Sequence, residues 1–182
     1  MDSLCKAIQV MHERYHIPHI VITSVSLQHA DQPAGSLSVI GSTMTSDRRA
    51  RPFKIAFPAF DCYFSGTGDM FAALMVVRMR EAVFRVPGLV GRDSWVSEDG
   101  VAPLELPLAR AAEKVLASMH EVLEKTCRAM TAEMAGAEAS AAREAGDQTR
   151  LHLLQSRAAE LRLVRNLDSL RFPDVQLRAT EM

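Results

Sequence analysis

A strand-like run, a glycine-bearing turn and a helix-like run follow one another between residues 53 and 80, and this succession constrains the chain more than any other feature. Residues 53–57 (FKIAF) have strand composition, Gly66-Thr67-Gly68-Asp69 follows, and Phe71, Leu74, Met75 and Met79 then keep helical spacing. Two glycines let a backbone approach a phosphate closely, and a helix start aims free N–H groups and its positive dipole end at such an anion. Asp69, at the fourth position, stands where a reacting hydroxyl would sit, which puts an anion hole and a general base on one turn. Taken alone, the four residues are equally well explained by an Asp that stabilises the dipole at a helix start.

The surrounding sequence reads as alternating helices and strands. Leu4, Ala7, Ile8 and Met11 give residues 3–15 a helical face that Pro18 ends. Residues 19–25 (HIVITSV) form a β-branched run of the kind buried in a parallel sheet, and residues 36–40 and 53–57 supply two more short strands. Residues 31–35 and 45–51 have turn composition. Residues 86–104 contain Pro87, Gly88, Gly91, Gly100 and Pro103 without periodicity and predict a surface loop anchored by Trp95. A long amphipathic helix is expected over 106–130, with Ala109, Ala112, Leu116, Met119, Leu123 and Met130 on its core face. Residues 131–147, rich in Ala, Glu and Gly, have little to bury and are expected to form a mobile linker, followed by a last helix near 148–164 and an extended tail at 175–179.

At 182 residues, 48 % hydrophobic and 24 % charged, the chain has enough apolar material for one globular core, so one domain over 1–182 is expected. A net charge of −1, with basic residues scattered, gives no electrostatic case for nucleic acid, and no apolar run reaches membrane-spanning length. Cys5, Cys62 and Cys127 are odd in number and far apart, which predicts reduced thiols and a cytoplasmic location. Residues 12–16 spell HExxH, a zinc-protease pattern. Ile17 and Pro18 end that helix at once, so solvated helix-end histidines are expected there, and no metal ligands are assigned.

Five stretches carry a resemblance that the turn alone does not. VITSVSL at 21–27, the GS at 41–42, RPFKIAFPAFDCYFSGTGDMFAALM at 51–75, AAEKVLASMHEVLEKT at 111–126 and ELRLVRNLDSLRFPDVQLRAT at 160–180 together resemble, in order, the pyridoxal kinases of the ribokinase-like superfamily. Sugar kinases of that superfamily usually carry GAGD, and hydroxymethylpyrimidine kinases commonly carry Cys where this chain has Asp69, so Thr67 and Asp69 favour the pyridoxal branch.

The resemblance implies an α/β architecture, the C-terminal half of a ribokinase-like three-layer fold with a mostly parallel sheet flanked by helices. It implies ATP-dependent phosphorylation of the 5′-hydroxyl of pyridoxal, pyridoxine or pyridoxamine in vitamin B6 salvage, and a homodimer. Asp69 would be the catalytic base, with Gly66, Thr67 and Gly68 forming the anion hole. Thr23 and Ser24 match nucleotide-phosphate contacts, while Phe57, Phe60 and Leu123 match the walls of the ATP pocket. The family's N-terminal half, which brings most of the pyridoxal pocket and the acids associated with Mg²⁺, has no counterpart in this sequence. An inactive nucleotide-binding or interaction module and a hydroxymethylpyrimidine-type kinase are the competing expectations.

Overall fold

The computed structural model describes residues 2–26 and 35–182. The turn expected at 31–35 lies, except for Gly35, outside the described residues, as does Leu27. The chain groups into two compact units. One comprises Met1–Ala59, Ala73–Leu116 and Val175–Met182; the other comprises Phe60–Ala72 and Ala117–Asp174.

The first unit holds the sheet. Helix α1 (Asp2–Tyr15) leads into β1 (His19–Val25), followed by β2 (Ser36–Thr43), β3 (Pro52–Pro58) and the short β4 (Thr180–Glu181). The strands lie in the order β1-β2-β3-β4 and every neighbouring pair is antiparallel. This corrects the expected parallel sheet. A parallel crossover needs about a dozen residues or more. Residues 26–35 link β1 to β2 and residues 44–51 link β2 to β3, and both segments are shorter than such a crossover. The β-branched run at 19–25, expected to be buried, is the edge strand β1 and is half-buried or exposed throughout; β2 is the strand enclosed from residue 38 onward.

Register explains two local features of the sheet. Gly41 pairs with Phe53, and a Cβ on Gly41 would lie 2.7 Å from Phe53 Cε1, so only glycine lets this ring lie across β2. Between the pairs Ile22–Ile40 and Val25–Ser38, β1 carries one residue more than β2, a β-bulge at Thr23-Ser24. The buried apolar side chains of this unit include Ile8 of α1, Val39, Ile40, Phe53 and Ile55 of the sheet, Met79, Val83, Leu89, and Leu106 through Leu116 at intervals.

Polar groups stitch the loops to this core. Arg51 is only 6 % exposed, yet its guanidinium donates to five backbone carbonyls: Thr43 (3.2 Å), Met44 (2.9 Å), Ser97 (3.2 Å), Glu98 (2.7 Å) and Val101 (3.2 Å). The loop expected at 86–104 is therefore tied down by a charge rather than by Trp95 alone, which is half-buried. Within it run three single 3-10 turns, Leu89–Gly91, Asp93–Trp95 and Pro103–Glu105.

The HExxH histidines part company. His16 lies beyond α1 with φ 53°, so it does not share a helical face with His12. His12, expected to be solvated, is fully buried. Its Nδ1–H donates to the Ile17 carbonyl at 2.6 Å, which fixes the tautomer, and Nε2 accepts from the Ser42 hydroxyl at 2.8 Å. Ile17 N–H bonds the Met11 carbonyl at 3.5 Å, so the chain after α1 folds back over the last turn and brings the Ile17 carbonyl to His12.

The second unit is helical. It takes the first turns of α2 (Thr67–Phe84) and the later part of α3 (Pro107–Met134), then α4 (Ala137–Glu144), α5 (Gln148–Ala158) and α6 (Leu167–Arg171). Most of the segment expected as a linker is thus helix. Alanine supplies the propensity, and Gly146-Asp147 supplies the break. Gly146 adopts φ 67°, its N–H bonds the Arg143 carbonyl at 3.1 Å, and Asp147 N–H bonds the Ala142 carbonyl at 2.9 Å, closing α4 in a Schellman motif. The Asp147 carboxylate then accepts the Arg150 N–H at 2.9 Å and caps α5. Ala139, Ala142 and Ala158 are the buried side chains of this helix pair. Residues 175–179 are not a strand; only Thr180–Glu181 joins the sheet.

Candidate functional site

The glycine-bearing turn does open a helix. Gly66 adopts φ 81°, a conformation that costs any other L-residue about 1–2 kcal/mol. Its carbonyl accepts the first helical bond, from Met70 N–H at 3.1 Å. The N–H groups of Thr67, Gly68 and Asp69 precede that bond, so helix geometry leaves them free to point out of the N-terminus of an 18-residue helix. Gly66, Gly68 and Asp69 are exposed and Thr67 is half-buried. A Cβ built on Gly68 would meet nothing within 4 Å, so the backbone is open to a ligand at that point.

The loop that leads into the turn is held at both ends. Ser65 forms a parallel β-bridge with Glu160, and Leu161 lies 3.9 Å from where a Cβ on Gly66 would be. Upstream, the Phe60 ring lies 5.0 Å from the His120 ring and meets Phe64 edge-on at 6.1 Å, centroid to centroid. His120 and Leu123, three residues apart on α3, share a helical face. Phe60 and Leu123 are both half-buried, with part of each surface available to a ligand.

Cys62 and Cys127 are joined by a disulfide, with their Cα atoms 6.6 Å apart, while Cys5 is free. This corrects the expectation of three reduced thiols. The separation of 65 residues carries no spacing signal, and only the course of α3 past the loop brings the pair together. His120, the bridge at Ser65 and this disulfide are the parts of the site that the sequence did not reveal.

Thr23, Ser24 and Phe57 belong to the first unit. Thr23 and Ser24 form the exposed bulge of β1, and Ser24 has φ 56°, an uncommon conformation for a residue other than glycine. Bulges often turn a side chain out of a strand toward a ligand. Phe57 is half-buried near the end of β3. Among the described residues, no group of three or more His, Cys, Asp or Glu side chains is placed to hold a metal ion. No helix among them is long and apolar enough to cross a membrane.

No protein-family model matches the chain. A Schizosaccharomyces pombe protein named as a candidate pyridoxal kinase is 28 % identical over 132 residues, covering 72 % of this chain and 37 % of that protein. Pyridoxal kinase from Leishmania donovani, solved with ADP, superposes with a TM-score of 0.55 and 21 % identity over 91 % of this chain and 40 % of its own. A candidate phosphomethylpyrimidine kinase from Bacteroides thetaiotaomicron gives 0.58 at 14 % identity, over 100 % of this chain and 43 % of its own. The chain thus spans about two-fifths of the length of the relatives it matches. Over that part it shares the α/β fold of these solved kinases.

Proposed function

We propose that this chain supplies the phosphate-binding and base-bearing part of an ATP-dependent kinase acting on the 5′-hydroxyl of pyridoxal, pyridoxine or pyridoxamine. The observation that carries this is the turn itself: a left-handed Gly66, unpaired helix-start amides and an exposed carboxylate in the first turn of α2. Phosphoryl transfer asks a protein mainly for positioning and for charge stabilisation. The Gly66, Thr67 and Gly68 backbone would stabilise the charge on the transferring phosphoryl group. Asp69, exposed beside those amides, would take the proton of the attacking hydroxyl.

Within the first unit, Thr23 and Ser24 on the bulge and Phe57 on β3 are the proposed nucleotide contacts, and within the second, Phe60 and Leu123 are. The same reading places the protein in the cytoplasm as a homodimer, in vitamin B6 salvage. Asp69 also separates the reading from a hydroxymethylpyrimidine-type kinase, a distinction the fold does not make, since a candidate phosphomethylpyrimidine kinase superposes as well as the pyridoxal kinase does.

Asp69→Asn keeps the shape of the side chain and removes the base. In a full-length enzyme containing this chain, turnover of pyridoxal with ATP should fall by about two to four decades, with ADP affinity nearly unchanged. Near-normal turnover of the variant would exclude Asp69 as the base. A wild-type chain that binds ADP but phosphorylates no vitamer would favour the binding-module reading, and a preference for hydroxymethylpyrimidine would favour the other kinase.

A further inference from the structure

We propose that Cys62 and Cys127 form a reversible thiol–disulfide switch that sets the order of the turn carrying Gly66 through Asp69. The proposal deepens the nucleotide reading above and rests on it for one readout only. Cys62 lies four residues before Gly66, and Cys127 lies one helical turn beyond Leu123 on α3. Their Cα separation of 6.6 Å is within the span a disulfide bridges, about 4.4–6.8 Å. Both cysteines are half-buried rather than enclosed, so a small thiol can reach the pair.

The rest of the loop is held without covalent bonds. Phe60 rests on His120, Phe64 meets Phe60 edge-on, and Ser65 bridges to Glu160, while Asp61 and Tyr63 between them are exposed. Opening the disulfide leaves residues 61–64 tethered, among the described residues, by these ring contacts and that bridge. A loop ordered before its ligand arrives binds that ligand more tightly, because the ordering cost is already met. The disulfide form is therefore the competent one, and the dithiol form is the looser one.

The chemistry balances with glutathione as the exchange partner. A glutathione thiolate, its proton released to solvent, attacks one sulfur of the pair; the S–S bond breaks and the other cysteine leaves as a thiolate that takes up a proton. A second glutathione thiolate then attacks the mixed disulfide, releasing the second cysteine and oxidised glutathione. Two electrons pass to the pair, and oxidised glutathione reverses both steps.

The full chain should be equilibrated in glutathione buffers from strongly reducing to fully oxidising, with free thiols counted by alkylation and mass spectrometry. Hydrogen exchange of the peptide covering residues 60–70 is compared between the end states. Cys62 and Cys127 are expected to titrate together while Cys5 stays free, with exchange in that peptide at least about fivefold faster after reduction. Cys62→Ser should show the fast exchange in every buffer. ADP affinity should fall on reduction by a similar factor, and ADP should by linkage favour the oxidised pair.

A pair that stays in one state across the series, or equal exchange in both states, would overturn the proposal. ADP binding to neither state, with the exchange difference intact, would count against the nucleotide reading and leave the switch standing.

Discussion

Replacing Gly66 and Gly68 in turn by alanine separates a role in folding from a role in binding phosphate. Gly68 is exposed in the first turn of α2, and an added Cβ meets nothing within 4 Å, so alanine there introduces no clash. Glycine in a helix is worse than alanine by roughly 0.5–1 kcal/mol, so Gly68→Ala should leave the protein as stable as before or slightly more so. Gly66 is different, because φ 81° is a left-handed conformation and the substitution should cost about 1–2 kcal/mol. Leu161, 3.9 Å from the added atom, makes an ordinary contact and adds nothing to that cost.

Binding should follow the opposite order from stability. A phosphate resting on the Thr67, Gly68 and Asp69 amides must lie against the bare Gly68 backbone, where a methyl group holds it off. Loss of one charge-assisted hydrogen bond is worth about 1.5–3 kcal/mol, or roughly ten- to a hundredfold in affinity. Thermal melts paired with calorimetric ADP titrations should show Gly68→Ala folded and at least about tenfold weaker for ADP. A Gly68→Ala protein that melts like the wild type and binds ADP equally well would refute a phosphate site at this turn.

The remaining expectations concern the first unit. Arg51→Ala removes five bonds to carbonyls on β2 and on the loop at 97–101, and the expected loss is about 3–5 kcal/mol, near the upper range for single substitutions. Urea unfolding checks it, and a change under about 1 kcal/mol would mean that water replaces the guanidinium at little cost. His12→Ala should destabilise clearly whereas His16→Ala should not, since only His12 is buried and bonded at both ring nitrogens; equal melting temperatures for the two variants would contradict this.

Burial pushes the His12 and His19 imidazoles below the ordinary histidine range, opposed by their bonds to the Ile17 and Ser94 carbonyls, and His12 and Arg51 lower His19 further. The unfolded chain therefore takes up protons first, so the contribution is complete above about pH 6.5 and is lost as pH falls from there toward the folded-state values. Melting temperature should decline on acidification through that window, and the decline should be shallower in His12→Ala measured against its own neutral value.

The parts of the molecule legible in the sequence were those set by local pattern. Pro18 ends α1 at Tyr15, the spacing of Phe71, Leu74 and Met75 marks α2, and Gly66 stands at the helix start where its positive φ is needed. Strand direction was not legible from β-branched content, which says only that a run can be buried. The lengths of the links at 26–35 and 44–51 held the missing information, because a chain that short returns antiparallel.

Residues 131–147 misled through composition, since alanine has little to bury yet the strongest helix propensity, and the Gly146-Asp147 pair was a readable stop-and-start signal. Cys62 with Cys127, and Phe60 with His120, are long-range meetings that no local pattern encodes. Arg51 belongs with them, since nothing in its neighbours announces a guanidinium shared among five carbonyls.

Amide-detected NMR of the ¹⁵N-labelled full chain, titrated with ADP, tests the phosphate-binding turn most directly. The largest shift changes are expected at the Thr67, Gly68 and Asp69 amides, with further changes at Thr23 and Ser24, and in the Gly68→Ala variant the Asp69 change should need at least about tenfold more ADP. Saturating ADP that leaves those amides unmoved, or that moves only residues remote from the turn, would contradict it.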